Sequence, residues 1–149
     1  MNELDANAWI ELVQQDCELP DVLECLERHG VSLAQVQWVD GAGSISLPNA
    51  GVILHLSKRD GDTFVSGVEF AVSGLPDGAS YDGSLPHGID GEDTLMDLTL
   101  KLHPAVPSQR SVPHSFDAVF PEHRLVIRMD GDDMLQSLRW MSTREMRGP

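Results

Sequence analysis

The first 30 residues carry apolar positions at helical spacing and predict two helices. The apolar face of the first helix consists of Ala8, Trp9, Leu12 and Val13. Asp5 or Asn7 is available as its N-cap. Pro20 suits the first turn of the second helix, and Gly30 fits the left-handed position after its end. The apolar face of the second helix consists of Val22, Leu23 and Leu26.

The next segment changes to strand patterns. Residues 36–39 predict a short strand, and the cluster 41–43, Gly-Ala-Gly, predicts a turn. Residues 52–57 alternate strictly, with valine and leucine on one face. The dipeptide Asp60-Gly61 is a strong hairpin signal, and 63–72 is the returning strand, rich in Phe and Val.

A long connection, 73–91, separates this part from a third helix and a second group of strands. The connection is rich in Gly and Pro and has Tyr81 in its middle. The third helix is predicted over 93–102, with leucines spaced for one face and Pro104 after its end. Three further alternating strands are predicted over 115–120, 124–129 and 134–141.

The order of elements predicts an α+β fold in one domain over residues 1–149. We expect an antiparallel β-sheet of about five to six strands in two meanders, with two N-terminal helices and one central helix packed on one face. Both halves have the same outline, a helical part followed by about three strands. The successive parts are a helical N-terminal part (1–30), a first meander (35–72), a loop and helix (73–104) and a second meander (115–142).

Charge narrows the choice of partner. The chain has 24 acidic and 10 basic residues, a formal net charge of −14. This sign disfavours nucleic acid and anionic membranes, and it would attract a basic protein. Solubility alone is the other explanation of the charge. The six arginines of residues 105–149 are interleaved with six acids, so no basic stripe is expected.

Nothing in the sequence predicts export or membrane insertion. The N-terminal residues 1–5 contain two acids and no Lys or Arg, unlike a signal peptide. A cytoplasmic location follows as the expectation. Cys17 and Cys25 match no zinc framework and no redox motif, and two reduced, packed thiols are favoured over a disulfide.

No catalytic residue, metal site or cofactor is predicted. The six histidines form neither a HxH nor a HExxH motif, and no GxSxG nucleophile motif is present. The acidic run 130–133 lacks the closing glutamate of a calcium-binding loop and predicts a hairpin turn.

The connection before the third helix is the candidate binding site. Its acids could steer a cationic surface, and an aromatic side chain could supply contact area. The predicted partner-binding residues are Asp77, Tyr81, Asp82, His87, Asp90, Glu92 and Asp93. The alternative is that Tyr81, Leu85 and Ile89 pack into the core, which leaves the acids as the exposed part.

Four segments together resemble a family of bacterial immunity proteins. They are Gly51-Val52-Ile53-Leu54-His55-Leu56, Val68-Glu69-Phe70, Tyr81-Asp82-Gly83-Ser84-Leu85-Pro86-His87-Gly88-Ile89 and the stretch from Asp93 to Pro104. The family pattern runs Y-x-G-x-L-P-x-G-L and, after a short gap, a helix that ends on L-G-x-P. The resemblance spans about residues 50–141, and the strands after 115 look like the closing meander of the family. His103 departs from the pattern, which has Gly there.

The resemblance implies a small cytoplasmic antidote to a pyocin-like, type VI secreted or other polymorphic toxin. Such a protein is a non-enzymatic inhibitor that binds its cognate toxin, here through an acidic surface suited to a basic active site. An acidic adaptor or chaperone for a secreted effector is the main alternative, and an enzyme with dispersed catalytic residues is another. Edge strands could also pair between two chains and form a homodimer.

Overall fold

A single antiparallel sheet runs through the computed structural model, which describes residues 2–76 and 78–142. The helices in these ranges are α1 (Ala6–Ile10), α2 (Pro20–Arg28) and α3 (Leu95–Leu102), with 3-10 turns at Leu33–Gln35 and Pro86–Gly88. The strands are β1 (Gln37–Val39), β2 (Ala42–Leu47), β3 (Val52–Arg59), β4 (Asp62–Phe70), β5 (Ser108–Gln109), β6 (Ser115–Val119), β7 (His123–Met129) and β8 (Leu135–Ser142).

The sheet consists of two meanders joined through their last strands. Its strand order is β1-β2-β3-β4-β8-β7-β6-β5, and every pairing is antiparallel. The α+β class and the single antiparallel sheet are therefore confirmed. The expected five to six strands were too few, because the described residues form eight.

The three described helices lie on one face of the sheet, and the hydrophobic core fills the space between. Val52, Phe70, Leu138 and Ile127 are paired in one row across four strands, and each is fully buried. One core cluster joins α1 and α2 to the first meander, and a second joins α3 to the second meander. Trp140 packs against both clusters and links the two halves.

The β3–β4 hairpin matches its sequence pattern closely. Alternate β3 residues from Val52 are buried, as the alternation predicts. Asp60 and Gly61 have φ angles of 51° and 86°, which is the left-handed pair that a two-residue hairpin turn requires. A bulge after His55 leaves Ser66 opposite no partner and bends the strand pair.

Two strands were missed, and one predicted turn was placed too late. The turn is Asp40-Gly41, whose φ angles are 54° and 80°, so the Ala42–Gly43 part of the predicted turn belongs to β2. A Cβ atom on Gly43 would meet the Trp38 ring at 2.9 Å, so this strand needs a glycine where the indole covers it. The other missed strand, β5, has two residues.

The helix ends show which local signals decided the structure. The α1 helix ends at Ile10, earlier than the pattern to Val13 predicted, although Val13 is buried in the core. The Asp5 side chain accepts a hydrogen bond from the Asn7 amide at 2.9 Å and is the N-cap. Gly30 follows α2 with a φ of +69°, as predicted.

The α3 helix begins two residues later than predicted. Thr94 and Asp97 form a capping box, in which each side chain accepts a hydrogen bond from the backbone amide of the other residue. Asp93 therefore lies before the helix and not inside its first turn.

Both cysteines are free and buried, as expected for reduced, packed thiols. Burial, with nearby acidic residues, raises the pKa of each thiol to about 11. A thiol with such a pKa is almost wholly protonated at neutral pH and is a poor nucleophile. As for membranes, none of the described helices has the length and apolar character needed to cross a bilayer.

Candidate partner-binding surface

The connection between β4 and α3 is held to the fold by two buried side chains. Tyr81 is 5% exposed, lies 4.7 Å from the Phe70 ring between centroids, and donates its hydroxyl to the Ser84 carbonyl at 2.7 Å. Burial, with Asp5 nearby, raises the pKa of Tyr81 to about 12. Ile89 is 6% exposed in the second core cluster. Tyr81 and Ile89 therefore pack into the core, which was the alternative to partner binding. The Tyr81 side chain has little exposed surface for a contact with a partner.

Asp93 stabilises the turn before α3 and is also buried. Its Oδ2 atom accepts hydrogen bonds from the Lys101 ammonium at 2.6 Å and from the Asp90 amide at 2.8 Å. The Lys101 pairing joins the start of α3 to its last turn. The carboxylate is thus used inside the chain, so a direct contact with a partner is not what its position favours.

Three of the predicted acids are exposed. Asp82 follows the buried Tyr81, next to Gly83, which lies against the backbone of Leu4. Asp90 and Glu92 lie in the turn before α3, where the Asp90 carboxylate accepts a hydrogen bond from the Glu92 amide at 2.9 Å. The exposed acids of the connection thus lie in two places, one beside Tyr81 and one before α3. Asp77 lies outside the described residues.

His87 belongs to a cluster of rings that fastens the connection to the second meander. Phe120 stacks on both His87 and His123, with centroids 4.6 and 4.5 Å apart, and the two histidine rings are 5.1 Å from each other. Trp140 stacks on His123 at 5.2 Å. The two histidine Nε2 atoms are 2.9 Å apart, which is hydrogen-bond distance. One imidazole must donate and the other must accept, so the bond is lost when both are protonated.

This histidine pair predicts a loss of stability in mild acid. Burial lowers the pKa of both imidazoles, and the proximity of His87 lowers that of His123 further. In the unfolded chain both regain the ordinary pKa of about 6.5, so below that pH the unfolded chain binds more protons than the folded one. We expect the urea midpoint to fall as the pH is lowered from 7.5 to 5.5.

The variant His123→Phe tests the origin of this effect, because it keeps a ring in the cluster and removes one titrating group. Its urea midpoint should change less between the two pH values than that of the wild type. His114→Phe, at an exposed histidine, is the control. An equal pH dependence in His123→Phe and wild type would contradict the assignment.

An apolar pair stands out on the outer side of α3. Met96 and Leu100 are each 74% exposed and are four residues apart, so they are neighbours on the helix surface. Asp97 lies three residues before Leu100 on the helix, Glu92 lies just before the helix, and both are also exposed. Hydrogen bonds from Thr94 lower the pKa of Asp97 and keep it ionised. We call these four residues, Glu92, Met96, Asp97 and Leu100, the α3 patch.

A second acidic surface lies between α1 and α2. The groove there is lined by four carboxylates, those of Asp5, Glu11, Asp21 and Glu24. Arg28 at its rim pairs with Glu3 and Glu24 at 3.3 Å each. The N-terminal helices thus carry much of the acidic charge, with eight acids and one Arg in residues 1–30.

The arginines of the second meander gather on the open face of the sheet, the face opposite the helices. Strand pairing places Arg110, Arg124, Arg128 and Arg139 there. The expectation that interleaved acids would prevent a basic surface was therefore wrong. The acids of the two hairpin turns lie outside these strands, whereas the arginines share one side of the strands.

Two carboxylates within the described part of this open face compensate some of the charge. Asp117 lies 3.6 Å from Arg110 and 3.9 Å from Arg124. Glu69 lies 2.9 Å from the His55 Nε2 atom, and although burial opposes the shift, this hydrogen bond lowers the pKa of Glu69. Burial lowers the pKa of Arg139, whose Nε atom is buried and has no hydrogen-bond partner.

Sequence reasoning missed both the α3 patch and the arginine face. The exposure of Met96 and Leu100 was visible as a second apolar stripe on α3, beside the leucines that enter the core. Arg124 and Arg128 are four residues apart in one strand, which places them on one face. Arg110 and Arg139 join them through strand register alone.

Across residues 2–76 and 78–142, no three His, Cys, Asp or Glu side chains are grouped closely enough to hold a metal ion. The candidate sites of the described residues are thus three surfaces: the acidic and apolar α3 patch, the acidic groove between α1 and α2, and the arginine face.

No family model, curated protein or solved structure matches the chain.

Proposed function

We propose that this protein is an immunity-type inhibitor, which binds a cognate secreted bacterial toxin in the cytoplasm and covers a basic active-site surface. The observation that carries the proposal is the α3 patch, where two strongly exposed apolar side chains occur in one short segment with two exposed carboxylates. Apolar anchors with a polar rim are typical of protein–protein interfaces.

The charge supports a basic partner. A protein with a net charge of −14 repels polyanions and attracts cationic surfaces over about one Debye length, 8–10 Å at ordinary salt. Glu92 and Asp97 would contribute to this attraction and so to the association rate. Met96 and Leu100 would be desolvated in the complex, so they should determine the dissociation rate.

The test uses the product of the toxin-domain gene that this proposal predicts beside the gene of this chain. The double variant Glu92→Lys/Leu100→Ser should weaken toxin binding about a hundredfold, because it reverses a steering charge and removes an apolar anchor. Surface plasmon resonance would give both rate constants, and a toxin activity assay would show inhibition and its loss.

A matched control is available on α2. Leu23 and Glu27 of α2 are exposed too and lie four residues apart. The double variant Glu27→Lys/Leu23→Ser therefore makes the same chemical changes, Glu to Lys and Leu to Ser, on a different helix. It should leave affinity within about threefold of wild type, as expected away from an interface. Equal losses in both double variants would reject the α3 patch as the binding site. Tight binding that leaves the toxin active would favour the adaptor function instead.

A further inference from the structure

We propose that the open face of the sheet is a second docking surface, which binds an extended polypeptide segment that carries carboxylates. This surface has the opposite charge to the α3 patch and lies on the opposite side of the sheet from the helices. The proposal goes beyond toxin inhibition and does not depend on it.

An excess of positive charge, four arginines against two carboxylates on the described part of the face, is the first argument. Asp117 is shared by Arg110 and Arg124, and Glu69 is engaged by His55. Within the described residues, Arg128 and Arg139 have no ion pair, and Arg128 is exposed. Glu69 is the cross-strand neighbour of Arg139 and interacts electrostatically with both arginines, but it forms a salt bridge with neither. Each guanidinium group can therefore donate hydrogen bonds to a further carboxylate.

The shape of the face is the second argument. One groove of about 290 Å³ is lined by Arg110, Arg128 and Arg139, with the hydroxyls of Ser115 and Ser137. A second groove of about 540 Å³ extends towards β1 and β2. Arg139 lines both grooves, so together they cross the sheet from its basic half to its first edge.

The lining of the larger groove favours a polypeptide as the ligand. It offers polar side chains for backbone groups, among them Gln37 and Ser44, and apolar contacts at Val39 and Met141. Nucleic acid is disfavoured, since a long polyanion would meet the repulsion of the whole acidic molecule. A short acidic peptide segment would place only two or three carboxylates, and these would lie in the arginine groove.

A fluorescently labelled hexaglutamate peptide is the probe for this surface. Fluorescence anisotropy at about 0.1 M ionic strength, where the Debye length is about 10 Å, should show saturable binding to the wild-type chain. The variant Arg128→Glu should weaken this binding about tenfold, as expected when a contacting charge is reversed. Arg128→Gln, which removes the charge without replacing it, should give an intermediate loss and serves if the first variant does not fold.

Lys58→Glu is the matched control. Lys58 is an exposed cation on the helix side of the sheet, 4.3 Å from the Trp38 ring centroid, and its reversal changes the net charge by the same two units. It should weaken peptide binding less than about threefold, since distant exposed charges are largely screened. Circular dichroism would establish that each variant is folded.

The outcomes are distinct. Absence of peptide binding at millimolar concentration, or equal losses in Arg128→Glu and Lys58→Glu, would overturn the proposal. Tighter binding of a six-nucleotide single-stranded DNA than of hexaglutamate would overturn it in favour of nucleic acid. If inorganic phosphate displaced the labelled peptide completely, and at a lower concentration than unlabelled peptide does, the surface would be a small-anion site and not a polypeptide site.

Discussion

Replacing Gly51 with alanine is expected to reduce the free energy of unfolding by about 3 kcal/mol or more. Gly51 lies between β2 and β3 with a φ of +69°, which L-residues rarely adopt. A Cβ atom there would overlap the backbone of Ser80 and Tyr81, so the connection between β4 and α3 would have to move. This backbone is held by hydrogen bonds, including that of the Tyr81 amide to Ala71 at 2.9 Å.

Gly30→Ala is the control that measures only the cost of placing a non-glycine residue at a positive φ angle. Gly30 has the same φ of +69°, and a Cβ atom there would meet nothing within 4 Å. We expect this variant to cost about 1 kcal/mol, the usual penalty for a non-glycine residue in the left-handed region. Urea denaturation of both variants gives the comparison, and equal costs would show that the close approach of residues 80–81 to Gly51 is not formed.

Trp9→Ala should have the largest effect of any single truncation in the N-terminal part, a loss of about 3–5 kcal/mol. Trp9 is 0% exposed, and its indole N–H donates to the Glu3 carbonyl at 2.9 Å. The α1 helix has five residues and is too short to be stable without tertiary packing. Thermal unfolding followed by circular dichroism measures the loss.

Trp9→Phe separates packing from the hydrogen bond. Phenylalanine keeps an aromatic ring in the core and removes the indole N–H, so a loss of about 1–2 kcal/mol is expected. Leu4→Ala, at a side chain that is 61% exposed, should change the stability by less than about 0.5 kcal/mol. A Trp9→Ala variant as stable as Leu4→Ala would contradict the packing described for α1.

The elements that could be predicted from the sequence are those in which local and tertiary preferences agree. In β3 the alternation, the β-branched residues and the Asp60-Gly61 turn all point to one hairpin, and the structure contains it. In β2 the local signal is weak, because glycine and serine alternate with two apolar residues. Its position is set by contact with Trp38, which a local pattern does not reveal.

The candidate surfaces depended even more on tertiary structure. The run of acids before α3 indicated an exposed surface, and Asp90 and Glu92 are exposed. Asp93, by contrast, is buried, and its carboxylate binds Lys101, eight residues later in the last turn of α3. Likewise, Arg139 pairs with Val126 across β8 and β7, and only this register brings it to the other arginines.

The pairing of β4 with β8 has a consequence for protein synthesis. These two strands meet at the centre of the sheet, although Phe70 and its partner Leu138 are far apart in the chain. While the ribosome is still making the later residues, β4 in the first half and then β7 in the second half each present an unsatisfied backbone edge. Insertion of the last strand between them covers both edges at once, so an incomplete translation product would expose two aggregation-prone borders where the finished chain exposes none at its centre.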